Sequence, residues 1–186
     1  MLEKLLDWDR EIFIFLNNLG TDSHDVFWQT ITKFPPWIPL YLILIALLFW
    51  KSSFKEGVWM LLSYVSMLVI LQPTIYTTKH FVGRLRPNNN ESINQLIRIV
   101  HEPSNFSFFS GHAAFSFSIA TLAVLFLRKK TRFIHFVWLY PILFSSSRIY
   151  LGVHYPSDIL VGALVGVLFA FVFYRMHQKF KAPYIP

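Results

Sequence analysis

The sequence has no cysteine, which excludes disulfides, thiolate nucleophiles and cysteine metal sites. It is also poor in charge: Asp, Glu, Lys and Arg make 15% of its 186 residues, against 54% hydrophobic and 18% aromatic. A soluble globular domain carries about 25% charged residues. The charges are clustered, and the long uncharged stretches between them predict an all-α, polytopic transmembrane helical bundle. Internal repeats, low-complexity tracts and flexible linkers are absent, so a single domain over residues 1–186 is expected. No signal peptide is expected, because "MLEKLLDWDREIFIFLNNLG" carries acids where a basic n-region belongs and its apolar run is short. No HExxH or comparable metal spacing occurs.

Five candidate spans are present, at 34–50, 57–78, 110–127, 133–147 and 159–174, with Pro73 and Pro141 inside two of them. Several fall short of the roughly 20 residues a crossing takes, so flanking residues must extend them. Residues 1–20 predict an amphipathic helix with Leu2, Leu5, Leu6, Ile12, Phe13, Leu16 and Leu19 on one side. Asp9 interrupts that side, and a helix capped by Asp9 is an alternative. This segment either lies in the membrane interface or packs as a surface helix, which would bring the bundle to six helices.

If all five spans cross, the segments 51–56, 128–132 and 175–186 share one side. That side holds Lys51, Lys55, Arg128, Lys129, Lys130, Arg132, Arg175, Lys179 and Lys181 against Glu56, and the positive-inside rule makes it cytoplasmic. Most of the net charge of +7 is explained this way, with no nucleic-acid partner. The loop 79–109 and the turn 148–156 then face outward together. The expected setting is a bacterial-type cytoplasmic (inner) membrane with these loops toward the periplasm or cell exterior.

Those loops carry the chemistry. Lys79, Arg86 and Arg148 are three cations that can converge on one anion, and guanidiniums match phosphate oxygens with paired donors. Ser110, Gly111 and His112 open a span, where free N–H groups and the helix dipole favour an anion. His154 lies four residues before Asp158, with Pro156 between them at a helix start. The carboxylate can then reach back to one imidazole nitrogen, fix the tautomer and leave the other nitrogen free to attack. His112 is the candidate general acid. These residues describe phosphate ester hydrolysis through a phosphohistidine, with charge stabilisation by the cradle. Among other donors, His101, Glu102, His112, His154 and Asp158 include metal-ligand types, but three cations nearby oppose a divalent ion. No metal or other cofactor is expected.

Lys79–x6–Arg86–Pro87, Ser110–Gly111–His112 and Ser147–Arg148–x5–His154–x3–Asp158 resemble the three-part signature of the type 2 phosphatidic acid phosphatase and vanadium haloperoxidase superfamily. The resemblance implies that Lys79, Arg86, Ser110, Gly111 and Arg148 bind the phosphoryl group. It makes His154 the nucleophile, Asp158 its orienting partner and His112 the acid. The chain departs from the family in having Phe109 where proline usually precedes Ser-Gly-His. The N–H groups of Ser110 and Gly111 are expected to remain available, with loop stiffness altered. The implied substrate is a phosphorylated membrane lipid: a polyprenyl diphosphate (the first choice by family analogy), phosphatidylglycerophosphate, phosphatidate or a lipid A phosphate.

Alternatives stay open. The same phosphohistidine would serve a lipid phosphotransferase, and the same cationic pocket a non-catalytic lipid-binding or anion-conducting protein. Arg148 and Asp158 would also suit a structural ion pair, and Lys79 and Arg86 would suit helix ends that snorkel. Arg84 and Arg98 read as solvated loop charge first, with attraction of an anionic substrate as the alternative. His24, His80, His101, His135 and His177 belong to no motif. Gly162 and Gly166 have the spacing of close helix packing, within the bundle or across a dimer seam, so a monomer or weak homodimer is expected.

Overall fold

The computed structural model describes residues 2–181; Met1 and residues 182–186, the end of the basic tail, lie outside the described residues. Among the described residues there are seven α-helices and no strand. They are α1 (Leu2–Asn18), α2 (Asp25–Ile31), α3 (Ile38–Phe49), α4 (Phe54–Val82), α5 (Gly111–Leu127), α6 (Leu139–Tyr150) and α7 (Pro156–Lys181). A 3-10 turn at Pro35–Trp37 joins α2 to α3 with a 64° bend, and a longer one at Arg132–Trp138 leads into α6.

The two longest helices are the easiest to explain. α4 starts where the Ser53 side chain accepts the Glu56 N–H and ends at Gly83, whose φ of 63° needs no Cβ penalty. It runs through Pro73, and the Thr74 hydroxyl donates 2.8 Å to the Ile70 carbonyl beside it. α7 starts with Pro156 at its first position, where the missing N–H costs nothing. Both are long and apolar enough to cross a membrane, and the bent α2–α3 pair would make a third span. Leu160, Leu164 and Leu168 form an exposed stripe along α7, each more than half exposed. In water such a stripe would be a large apolar patch; in hydrocarbon it is ordinary surface.

α5 is the central element. It packs most extensively on α7, and a methyl group added at Gly166 would lie 2.3 Å from the Ala114 carbonyl oxygen. At Gly162 it would lie 2.5 Å from the carbonyl oxygen of Ser110. The two glycines are therefore used inside the bundle, drawing α7 onto the start of α5. Ser116 and Thr121 turn their hydroxyls back onto the His112 and Phe117 carbonyls, which keeps a buried helix satisfied. The core around it is aromatic and aliphatic, with Phe144, Met67 and Leu122 fully buried.

The α3–α4 and α5–α6 connections meet at one end of the bundle, where the Lys130 ammonium donates to the Ser52 hydroxyl. The other end holds the C-termini of α4 and α6, the N-termini of α5 and α7, and α1. The helix α1 begins at Leu2, so Asp9 is no N-cap. Asp9, Phe13 and Asn17 form its buried stripe, while Leu5, Leu6, Trp8, Ile12, Phe15, Leu16 and Leu19 stay exposed. From Leu5 to Leu19 the expected apolar face is thus mostly uncovered by protein, with Phe13 its one buried member among the described residues.

Candidate active site

Pro156 and the first turn of α7 place Asp158 beside the turn that carries His154. Asp158 is fully buried and His154 is 1% exposed. One carboxylate oxygen, Oδ2, lies 3.3 Å from His154 Nδ1 and accepts the Tyr155 N–H at 3.0 Å. The same oxygen accepts the Ser107 hydroxyl. The other, Oδ1, accepts an Arg84 N–H at 2.8 Å. With both oxygens held, the carboxylate has one orientation.

The second ring nitrogen of His154, Nε2, is 3.0 Å from an Arg86 N–H group. A guanidinium can only donate, so Nε2 presents its lone pair and the ring proton sits on Nδ1, facing Asp158. Burial, followed by the charges of Arg86, Lys79, Arg148 and Arg84, holds the His154 pKa well below the ordinary histidine range. The ring is neutral at neutral pH, and its lone pair faces the Arg86 guanidinium.

That lone pair borders a cavity of about 310 Å³ whose walls include Lys79, Arg86, Gly111, His112, Arg148 and His154. Ile75, Tyr76, Phe34 and Phe115 give it an apolar side. Lys79 spends two N–H groups at 2.8 Å on the Phe106 and Ser107 carbonyls and keeps its third. Arg86 is held by the Asn105 carbonyl and side chain and by the Val153 carbonyl, each at 2.8 Å. Arg148 donates 2.6 Å to the Thr32 hydroxyl, and its buried Nε has no partner. His112 stacks on Phe144 with ring centres 4.7 Å apart and on Phe34 at 6.0 Å.

Of the eight motif residues, six line this cavity; Asp158 sits behind His154, and Ser110 is fully buried behind Gly111. The Ser110 hydroxyl caps α5 by accepting the Ala113 N–H, and its own N–H donates 2.9 Å to the Asp158 carbonyl. This corrects the expectation that the Ser110 N–H is open to an anion. The N–H groups of Gly111 and His112, the first two of α5, are the open ones. Ser110 instead ties the start of α5 to the start of α7.

Other expectations change too. Lys79 and Arg86 do not snorkel; they are 8% and 4% exposed and bound to carbonyls of the 105–107 segment and, for Arg86, to Val153 and His154. The cation paired with Asp158 is the half-buried Arg84, not Arg148. Arg84 is no solvated charge: it also bonds Asp9 at 2.7 Å and lies 3.9 Å over the Tyr155 ring. Asp9 in turn accepts the Ser157 N–H at 2.8 Å and the Ser157 hydroxyl. Arg98 pairs with Asp22 and Asp25. Sequence reasoning missed Asp9, Thr32, Arg84, Asn105 and Ser107 as supports of the site. One signal was present: an acid interrupting the apolar side of a helix has to meet a partner somewhere. Among the described residues no three His, Asp or Glu side chains gather as metal ligands would.

Four cations, Lys79, Arg84, Arg86 and Arg148, face two carboxylates, Asp9 and Asp158. Among the described residues the cavity lining is cationic and holds no carboxylate, as an anion such as phosphate requires, and two imidazoles flank the space it would fill.

Residues 56–182 match the sequence profile of the PAP2 superfamily, and the chain belongs to that family. It is 31% identical over 186 residues to a lipid A 4'-phosphatase of Bacteroides thetaiotaomicron, covering 98% of this chain and 82% of that one. Its fold is similar to the crystal structure of a PAP2-type phosphatidylglycerolphosphate phosphatase from Bacillus subtilis, with a TM-score of 0.72 and 23% identity over 96% of this chain and 89% of that one. A second solved structure, Aquifex aeolicus LpxE, is similar at TM-score 0.65 and 28% identity, covering 89% and 93%. The class these findings define is a multi-pass, all-helical membrane phosphatase.

Proposed function

We propose that this chain removes a phosphoryl group from a membrane lipid by way of a phosphohistidine on His154. That it is a phosphoric ester hydrolase of the PAP2 type rests on family membership and on the names of its relatives. The observation that carries the mechanism is the open side of His154: a neutral Nε2 bordering a cavity that also holds Lys79, Arg86 and Arg148.

The steps follow from the geometry. A phosphate group entering the cavity draws the Arg86 N–H from Nε2 to its own oxygens and so uncovers the nucleophile. Nε2 attacks phosphorus, and the Nδ1 proton stays on the ring, where Asp158 stabilises the growing imidazolium charge. Lys79, Arg86, Arg148 and the N–H groups of Gly111 and His112 stabilise the equatorial oxygens. His112 protonates the departing oxygen, and as base it then activates the water that cleaves the P–N bond. No step calls for a metal.

In this reading five spans cross the bilayer, carried by α3, α4, α5, α6 with its preceding 3-10 turn, and α7. The uncovered apolar face of α1 lies in the interface. The basic end is cytoplasmic and the site faces the periplasm or cell exterior of an inner membrane. A lipid headgroup reaches the cavity there while its chains stay in hydrocarbon. The site is complete within one chain and the small-residue seam of α7 is used internally, so a monomer suffices. The relatives' names include lipid A 4'-phosphatase, undecaprenyl-diphosphatase and phosphatidylglycerophosphatase B, so a lipid A phosphate and phosphatidylglycerophosphate stand beside the polyprenyl diphosphate expected first.

The test is phosphate release in detergent, without added metal, over a panel of those lipids. Wild-type protein should release inorganic phosphate and vanadate should inhibit it. His154→Ala should insert in the membrane normally and lose at least about 10⁴-fold in rate. Near-wild-type turnover by that variant would remove the nucleophile assignment.

A further inference from the structure

The catalytic cavity has a neighbour. A second chamber of about 660 Å³, twice the volume, is lined by Gln29, Thr32, Lys33 and His101. It shares Phe34, His112 and Arg148 with the inner cavity, and His154 lines only the inner one. The shared wall is thus built from the candidate acid, a phosphate-binding arginine and the phenylalanine stacked on that acid.

Phosphoryl transfer runs in line: the leaving oxygen departs on the side of phosphorus opposite the nucleophile. To protonate the leaving oxygen His112 must touch it, and His112 stands in the wall that the two cavities share. What lies beyond His112 is the outer chamber. Its chemistry suits a polar group. Lys33 is an exposed cation, and the buried Nε of Arg148 has no partner. Gln29, Thr32 and His101 supply hydrogen bonds, and among the described residues no Asp or Glu lines it. The charges of Arg148 and Arg86, after burial, also lower the His101 pKa, so the field of the inner cations reaches this space.

We propose that the outer chamber is the leaving-group subsite, and that it selects lipids whose leaving group carries a second anionic group. The inference rests on the phosphatase reading above. Lys33, supplied by the short link between α2 and the bend, is the specificity-determining residue. It meets the second anion while Arg148 bridges both. Phe34 and Pro35 at the rim let the chains pass toward the apolar helix faces.

Two substrates separate the cases. Phosphatidylglycerophosphate leaves as phosphatidylglycerol, which keeps a phosphodiester anion; phosphatidate leaves as neutral diacylglycerol. Lys33→Ala should lower kcat/KM on phosphatidylglycerophosphate about tenfold, mainly through KM, as the loss of one charge-assisted contact does. Lys33→Glu should lower it further. On phosphatidate both variants should change kcat/KM less than about twofold to threefold, and inhibition by inorganic phosphate, which reads the inner cavity, should keep its constant. Equal changes on the two substrates, or none on phosphatidylglycerophosphate, would overturn the subsite. Wild-type protein that released phosphate from neither lipid, nor from a lipid A phosphate or a polyprenyl diphosphate, would overturn the phosphatase reading itself.

Discussion

Cations gather at both ends of this bundle, and they are governed by different physics. At the basic end Lys51, Lys55, Arg128, Lys129 and Arg132 are exposed. At the site end Lys79, Arg86 and Arg148 are 8%, 4% and 5% exposed. An exposed ion pair is worth about 0–1 kcal/mol, whereas taking an ion out of water costs several kcal/mol. The basic end therefore needs no partners, and in the proposed orientation its charges act by their number. The site end offsets its cost with carbonyls, with Asp9 and Asp158, and with contacts from α1, the 105–107 segment and α7. The difference teaches that sign alone says little here. A buried cation held by fixed acceptors, with a donor left over, marks a place prepared for an anion.

Several substitutions would break or sharpen this contrast. The largest effect is expected at the cradle: Arg86→Ala or Arg148→Ala should lower kcat about 10³-fold. Arg128→Ala together with Lys129→Ala should change it less than twofold, roughly the cost of losing solvated charge. Comparable losses at both ends would erase the distinction. Asp158→Asn should cost about 10²- to 10³-fold, because an amide cannot stabilise the imidazolium that forms on attack. Arg84→Ala should cost about tenfold to a hundredfold, the range typical of losing a group that orients a reactive one.

The Arg84 variant also carries a pH signature. In the proposed mechanism attack needs neutral His154, so kcat/KM should fall as pH drops through its pKa, which lies below the ordinary value. Removing the Arg84 cation and freeing the Asp158 charge both favour the imidazolium. The acid limb of the pH profile should move to higher pH in Arg84→Ala and stay near wild type in Arg84→Lys. A purely structural role for Arg84 would leave the limb in place. Smallest in rate and largest in stability is Gly166→Leu: its side chain meets the Ala114 carbonyl. It should lower Tm in detergent, with overpacking costing about 1–3 kcal/mol.

How much of this was legible depends on where the information sits. The three motifs were readable because order and spacing are local facts, and the 147–158 stretch puts a turn, a proline and a helix start where His154 and Asp158 need them. Helix ends were less readable. α4 runs Phe54–Val82 against an expected 57–78, and α7 runs Pro156–Lys181 against 159–174. Lys55, Glu56, Lys79, Arg175 and Lys179 end the apolar runs without ending backbone hydrogen bonding. The short helix α2 carried no signal, since its seven residues are too few to show a period. The 88–109 loop was opaque for another reason. Its function is to bring the Asn105, Phe106 and Ser107 carbonyls to cations 19–28 residues away in sequence, and no local pattern encodes such a meeting. The same holds for Asp9, whose partners Arg84 and Ser157 lie 75 and 148 residues away.

The most direct test of the central claim is to look for the phosphoryl group on His154 itself. Protein mixed with a lipid labelled in its terminal phosphate and denatured within milliseconds in alkali should carry protein-bound label that is stable to base and released by acid. The label should map to the peptide containing His154, decay more slowly once formed in His112→Ala, and be absent from His154→Ala. Label retained in His154→Ala, or phosphate release by wild-type protein with no label at any time, would contradict the account.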